Sequence, residues 1–373
     1  MLSRTVRRSL LSLPVAAAML AAAVTPPAYA HSDAAATAVP AAHAGVIAST
    51  TDNLARDLAR TFADPAIERS LASAVVTAPV DLATVAPGTA FAQRVRAANR
   101  TVVAAKGLPS TVGSLLQVRL GDQSMVAALN RGEVPLVAAT PTDDVPSDIT
   151  AYTTSGDVVV LSTATVPTRP VLLVEVDTAK ALPAGIDVMR TIFAERGVGD
   201  SGYTTLSTTG GFWATKIDSV YLSNDEEPWV KGAAEIYSIV GGFDYDGVAR
   251  VADIVQMPYL DYDGQVYYPN QLLVYWNRYK YNLADVVMME DDGDTNYQAL
   301  ATAICDALLS IADQGQYIPL VNAILDAIPD SWWTDDPDYV DSWYTLATTT
   351  SGRINGAAGN GWMYVEPYWV SEL

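Results

Sequence analysis

Acidic side chains gathered in short turns are the first chemistry this sequence offers. Asp244-Tyr245-Asp246-Gly247 recurs as Asp261-Tyr262-Asp263-Gly264. Asp225-Glu226-Glu227, Glu290-Asp291-Asp292-Gly293-Asp294 and Asp335-Asp336-Pro337-Asp338 form further groups. Carboxylates crowded at one end of a fold repel one another unless a cation lies between them, and calcium takes six to eight oxygen ligands. Asp-x-Asp-Gly sets two carboxylates beside a turn that glycine allows to bend tightly. Asp225, Glu226, Asp261, Asp263 and Asp292 are therefore the candidate metal ligands, with calcium as the candidate ion. None of these loops is an EF-hand: Asp292-x-Asp294-x-Asn296 begins like one, but Tyr297 stands at the turn glycine and Ala303 at the bidentate glutamate. The competing reading is a set of ordinary Asp-Gly hairpin turns with solvated acids.

Carboxylates also support catalysis without histidine. Glycoside hydrolysis needs two acids, one of them with a raised pKa. Glu235 and Glu290, each on an expected strand between apolar neighbours, are the candidates; as structural acids they would instead meet Lys231 or Arg278.

Several chemistries are excluded. The two histidines, His31 and His43, precede the expected folded body, which removes a Ser–His–Asp triad, a Cys–His dyad and a His-ligated zinc. Neither Ser-x-x-Lys nor a Gly-Lys phosphate loop occurs. Gly197-x-Gly199-x-x-Gly202 follows an expected helix instead of a strand, so it reads as a helix C-cap and loop, not a dinucleotide site. Cys305, the single cysteine, sits beside the apolar face of a helix and reads as a packed thiol. A formal net charge of -20 argues against nucleic acid or an anionic membrane as partner.

The elements that must position these groups change character along the chain. Residues 1–30 read as a secretory signal peptide: Arg4, Arg7 and Arg8, an apolar run interrupted by Pro14, and the small-x-small site Ala28-Tyr29-Ala30. The protein is thus expected to be secreted, and no later segment is long and apolar enough to span a bilayer. Residues 31–45 read as a flexible, Ala-rich leader. Residues 46–210 read as an α+β domain. Its first helix carries Leu54, Leu58 and Phe62, the second starts at Asp64-Pro65, and a third runs from about Thr89 to Lys106. Strands follow over 114–120, 136–139, 151–154, 157–162 and 171–176, and then a helix ending at Gly197.

Residues 211–373 hold all eight Trp, and 25 acids against 6 basic residues. Seven short β-branched and aromatic strands are expected there, as an antiparallel β-sandwich with an inserted helical hairpin. Tyr297, Leu300, Ile304, Leu308 and Ile311 mark the first helix of that hairpin, and Leu320, Ile324 and Ile328 the second. Adjacent aromatics such as Tyr275-Trp276 point to opposite faces of a strand, so one ring of such a pair is a candidate to stack on a sugar.

Glu227-Pro-Trp-Val-Lys-Gly-Ala-Ala-Glu-Ile-Tyr237 resembles a segment of an uncharacterised family of secreted bacterial proteins, classed as a domain of unknown function. Met257-Pro-Tyr-Leu-Asp261, Tyr268-Pro-Asn-Gln271 and Pro170-Val-Leu-Leu-Val-Glu-Val-Asp177 are similar to other parts of that pattern, while Ala233 stands where an acid is expected. The resemblance covers most of the chain after the leader. It implies export and brings no activity or catalytic residues with it. The expectation is therefore a secreted, acidic protein with a non-enzymatic binding or surface role, stabilised by calcium, whose partner is a protein or a glycan. A carboxylate hydrolase acting on glycans is the alternative.

Overall fold

The computed structural model describes residues 40–141, 147–199, 210–224, 229–291, 293–311, 313, 315–328 and 339–371. The architecture is α+β. Helices α1 (Pro40–Thr61), α2 (Pro65–Val75) and α3 (Ala90–Ala105) come first. Asp64 caps α2 by accepting the Ala66 amide at 2.9 Å, with Pro65 in the first turn where its missing N–H costs nothing.

The first sheet starts with a short strand between α2 and α3 and is otherwise built after α3, with α4 (Val126–Asn130) between its strands. Strands β1 (Val80–Asp81), β2 (Leu116–Leu120), β3 (Leu136–Ala139), β4 (Asp148–Tyr152), β5 (Val158–Ser162) and β6 (Val171–Val176) are arranged in the order β1-β2-β6-β3-β4-β5. The expected tight turn near Ser155-Gly156 joins β4 and β5, which pair antiparallel. Among the described strands of this sheet, β3 and β6 are the parallel pair. Helix α5 (Thr178–Glu195) leaves β6 directly, capped by Asp177. It ends where Gly197 takes a φ of 72° and Val198 bonds back to Phe193, so this part of the glycine pattern is a helix stop.

The remaining strands are β7 (Gly211–Leu222), β8 (Ile236–Phe243), β9 (Ala249–Gln256), β10 (Val266–Tyr267), β11 (Gln271–Tyr275), β12 (Leu283–Glu290), β13 (Tyr339–Ala347), β14 (Gly352–Asn355) and β15 (Gly361–Ser371). They form two antiparallel sheets, one in the order β13-β12-β8-β9 and the other β10-β7-β15-β14 with β11 beside β7. Helices α6 (Tyr297–Leu309) and α7 (Val321–Ala327) lie in sequence between β12 and β13, as the apolar periodicity predicts.

Period-two alternation explains the layering. Val286 and Met288 of β12, with Ile236 and Val240 of β8, face Ile217, Val220, Met363 and Val365 of the other sheet. The alternate residues Val287, Met289, Tyr237 and Ile239 join Ile304, Leu308, Val118, Leu173 and Phe193 in a larger cluster. With both faces covered, every residue of β8 is buried. The larger cluster thus draws side chains from the first sheet, from the hairpin helices and from the sandwich. Trp276 is buried with its indole N–H on Thr215 at 2.9 Å, while its neighbour Tyr275 is half-buried. Cys305 is buried in the same large cluster, and desolvation pushes its thiol up to about 11, as expected of a packed, unreactive side chain.

Candidate functional site

A cleft of about 270 Å³ opens where β2, β6 and the start of α5 meet the segment that leads into β8. That is just under the range typical of sites for drug-sized ligands. Its lining includes four acidic residues, Glu175, Asp177, Glu235 and Asp291, and two basic ones, Arg119 and Lys231, and Lys180 pairs with Asp177 at 2.5 Å.

Strand register builds one side. Leu116, Val118 and Leu120 of β2 point into the core, which turns Gln117 and Arg119 to the opposite face. Gln117 lies directly across from Glu175 of β6, and Arg119 diagonally. The Glu175 carboxylate accepts from Arg119 Nε at 2.7 Å, Gln117 Nε2 at 3.0 Å and Thr140 Oγ1 at 3.0 Å. Three donors around one carboxylate, charge-assisted on the arginine side, hold it in a single geometry. The guanidinium spends its other donors on backbone: Nη1 on Leu120 and Gly121, and Nη2 on the Val230 carbonyl at 2.9 Å. Arg119 therefore ties the first sheet to the 229–235 segment. Gly232, at φ 118°, passes so close over it that a Cβ there would lie 3.3 Å from Nη2. Trp229 seals the same contact by packing on Gly121, where a Cβ would lie 2.9 Å from the indole.

The floor is a buried ionic group. Lys106, at the C-terminus of α3, reaches Asp291 just beyond β12, Nζ to Oδ1 at 3.3 Å, and both side chains are fully buried. Tyr297, in the first turn of α6, donates its hydroxyl to the other Asp291 oxygen. Its pKa is driven well above the usual phenol value by burial first, with the Asp291 charge and hydrogen bond adding to it, so it remains a donor. The Lys106 ammonium also lies 5.0 Å from the Tyr297 ring centroid. Asn296 caps α6 through the Ala299 amide at 2.9 Å and donates to the Ala105 carbonyl, so α3 and α6 are pinned end to end. Asn296, the third residue of the calcium-like Asp-x-Asp-x-Asn run, serves as a helix cap.

Glu235 and Asp291 share this cleft because the Asp291 amide bonds to the Glu235 carbonyl at 3.2 Å. Glu290 is opposite Ile236 in the register, so its side chain belongs to the other face of the strand pair, where it is buried on the sandwich side. Asp291, the residue after Glu290, lines the same cleft as Glu235, together with Glu175 and Asp177, and none of these three is among the candidate acids expected from the sequence. Arg119 and Lys106 are likewise not expected from the sequence. Glu175 carries a signal nonetheless, as a lone charge inside the otherwise apolar β6 sequence.

The calcium candidates divide. Asp225, Glu226 and Asp292 lie outside the described residues. Asp261 is partly buried, which raises its carboxyl above the usual value, and Asp263 is exposed. Their turn lies against the end of β7, with Gly264 donating to Leu222 at 2.9 Å. The first copy of the motif is the β8–β9 hairpin turn, and Arg250 pairs with both its acids, Asp244 and Asp246. Among the described residues no group of three or more acidic, His or Cys side chains is arranged to hold a metal ion. Trp332-Trp333 and Asp335 to Asp338 also fall outside the described residues. No helix among the described residues is long and apolar enough to cross a membrane.

Both walls of the cleft come from segments that carry the family resemblance: Glu175, Val176 and Asp177 from one, and Lys231 to Ala233 with Glu235 from the other. A family model described as "Protein of unknown function (DUF3103)" matches residues 51–372. No curated protein and no solved structure matches the chain. Spanning nearly all of the described fold, that match makes the chain a member of the DUF3103 family.

Proposed function

We propose that the protein is an exported, non-enzymatic binding module that holds a small polar ligand carrying positive charge in the cleft between β6 and the 229–235 segment. One observation carries this reading: four acidic residues line a single small cleft, and while Glu175, Asp177 and Asp291 are held by Arg119, Lys180 and Lys106, Glu235 stands half-buried at its wall. Most of the wall is built in advance, with Arg119 fixed by Glu175 and three backbone carbonyls, and Asp291 fixed by Lys106 and Tyr297. A preformed polar wall lowers the ordering cost of binding. Export is supported by the basic start, apolar run and small-x-small site of residues 1–30. The reading does not depend on calcium.

Calorimetric titration with arginine, lysine, spermidine and glucosamine at low salt tests the binding reading. At least one should bind, and Glu235→Gln should weaken it at least tenfold. Silence from the whole panel, or a Glu235→Gln variant that binds unchanged, defeats the proposal. Reducing-end release from a glycan panel that Glu235→Gln abolishes would replace it with carboxylate-dependent hydrolysis. Export is tested by intact mass: secretion by a bacterial host should yield a chain cut after Ala30.

A further inference from the structure

The outer face of the β7–β15–β14 sheet carries rings instead of the polar side chains expected on a solvated face. Along β15, Met363 and Val365 point into the sandwich, which turns Trp362, Tyr364, Glu366 and Tyr368 outward. Same-face neighbours on a strand stand about 7 Å apart, so these side chains follow one another along one face. Tyr364 is 46% exposed and Tyr368 43% exposed. Across the ladder Tyr221 pairs with Trp362, their ring planes 13° apart and centroids 5.8 Å apart. The two rings are stacked on each other at the end of the row, which leaves Tyr364 and Tyr368 as its open rings.

Charged groups flank the rings and are paired among themselves. Lys216 meets Glu366 at 2.6 Å and lies 5.3 Å from the Tyr368 ring centroid. On the other edge Arg353 covers Trp362 at 4.5 Å and donates to Asn355 at 3.2 Å. We propose that this face is a stacking platform for a neutral glycan chain. Pyranose rings present flat C–H faces that lie on aromatic rings, and rim hydroxyls that both donate and accept hydrogen bonds. Exposed tyrosine rings along one strand, with a Lys–Glu pair between them and an Arg–Asn pair beside them, supply both kinds of contact on one face. Charge selects the ligand further. A chain of net charge -20 repels polyanions. Lys216, Glu366 and Arg353 interleave with the rings, so inserting the face into a lipid interface would strip water from charges. The platform is separate from the cleft and stands whether or not the cleft binds a cation.

The test is depletion of the full protein from solution by neutral polysaccharides: cellulose, chitin, xylan, β-glucan and galactomannan, at low and at 0.5 M NaCl (about a threefold shorter Debye length than at ~0.05 M). At least one should retain the protein equally at both salt concentrations. Tyr364→Ala/Tyr368→Ala should weaken that retention at least tenfold, equivalent to ~1.4 kcal/mol. Because both rings are half-exposed, the double variant should keep its thermal midpoint, which separates loss of binding from loss of fold. Failure of every polysaccharide, retention that survives the double substitution, or ring-dependent flotation with phosphatidylcholine vesicles instead of glycan binding would each overturn the proposal.

Discussion

Replacing Lys106 by Met removes one side of the buried ionic floor. The methionine keeps the stem volume and deletes the ammonium, leaving the fully buried Asp291 with Tyr297 as its remaining side-chain partner of the pair described above. Removing one partner of a buried pair costs about 3–5 kcal/mol, because the other charge stays in a medium that solvates it poorly. Over the Ala38–Leu373 unit the unfolding entropy, at about 2.1 cal/mol/K per residue for on the order of 330 residues, is about 0.7 kcal/mol/K. Lys106→Met should therefore lower the melting midpoint by about 4–7 °C. Asp291→Asn should cost a similar amount, since it leaves the ammonium buried instead. The double variant, with neither charge, should be more stable than the sum of the single losses implies, with a coupling energy of about 1–3 kcal/mol. Differential scanning calorimetry of the four proteins reads all three numbers. Additive single losses below about 1 kcal/mol would show that water reaches this group and that the floor is not the dry site drawn from its burial.

Two further substitutions probe neighbouring contacts. In an exposed helix interior Gly→Ala stabilises by about 1 kcal/mol, but a Cβ on Gly185 of α5 would run into the Tyr297 ring. Gly185→Ala should therefore lose about 1–3 kcal/mol by overpacking, and a raised melting midpoint would contradict the close approach of α5 and α6. Asp313 is held down to about 2 by Lys280 first, then by Tyr281 and the Gly315 amide. A depressed carboxylate contributes stability that is full above its unfolded pKa and is lost as pH falls toward the folded one. Its contribution should thus fade between about pH 4 and pH 2. Lys280→Ala should return the Asp313 carboxyl toward the ordinary range in a side-chain NMR titration, and an unmoved titration would disprove the pairing.

The sandwich and its helical insertion are legible in the sequence because each depends on local periodicity. Val286-Val287-Met288-Met289 is apolar at every position, as a strand buried on both faces must be, and Leu300, Ile304 and Leu308 repeat at helical spacing. Short elements are not legible: β1 and β10 have two residues each and carry no period of their own. The cleft is harder still, because its partners meet only after register and packing are set. Arg119 finds Glu175 diagonally across a strand pair, and Lys106 and Asp291 are 185 residues apart in sequence. Acid clusters also mislead for a physical reason. Sequence proximity counts carboxylates together, whereas the fold distributes them by face and by cation. Arg250 takes Asp244 and Asp246, Lys280 takes Asp313, and Lys106 takes Asp291. Glu235 and Glu290 look equivalent on paper, yet the register turns one toward the cleft and the other into the sandwich. In a chain this acidic, the informative acids are those that a strand's alternation forces beside an arginine or lysine under cover. That criterion leads to Glu175 and Asp291, and through them to the half-buried Glu235 on which ligand binding in the cleft is to be tested.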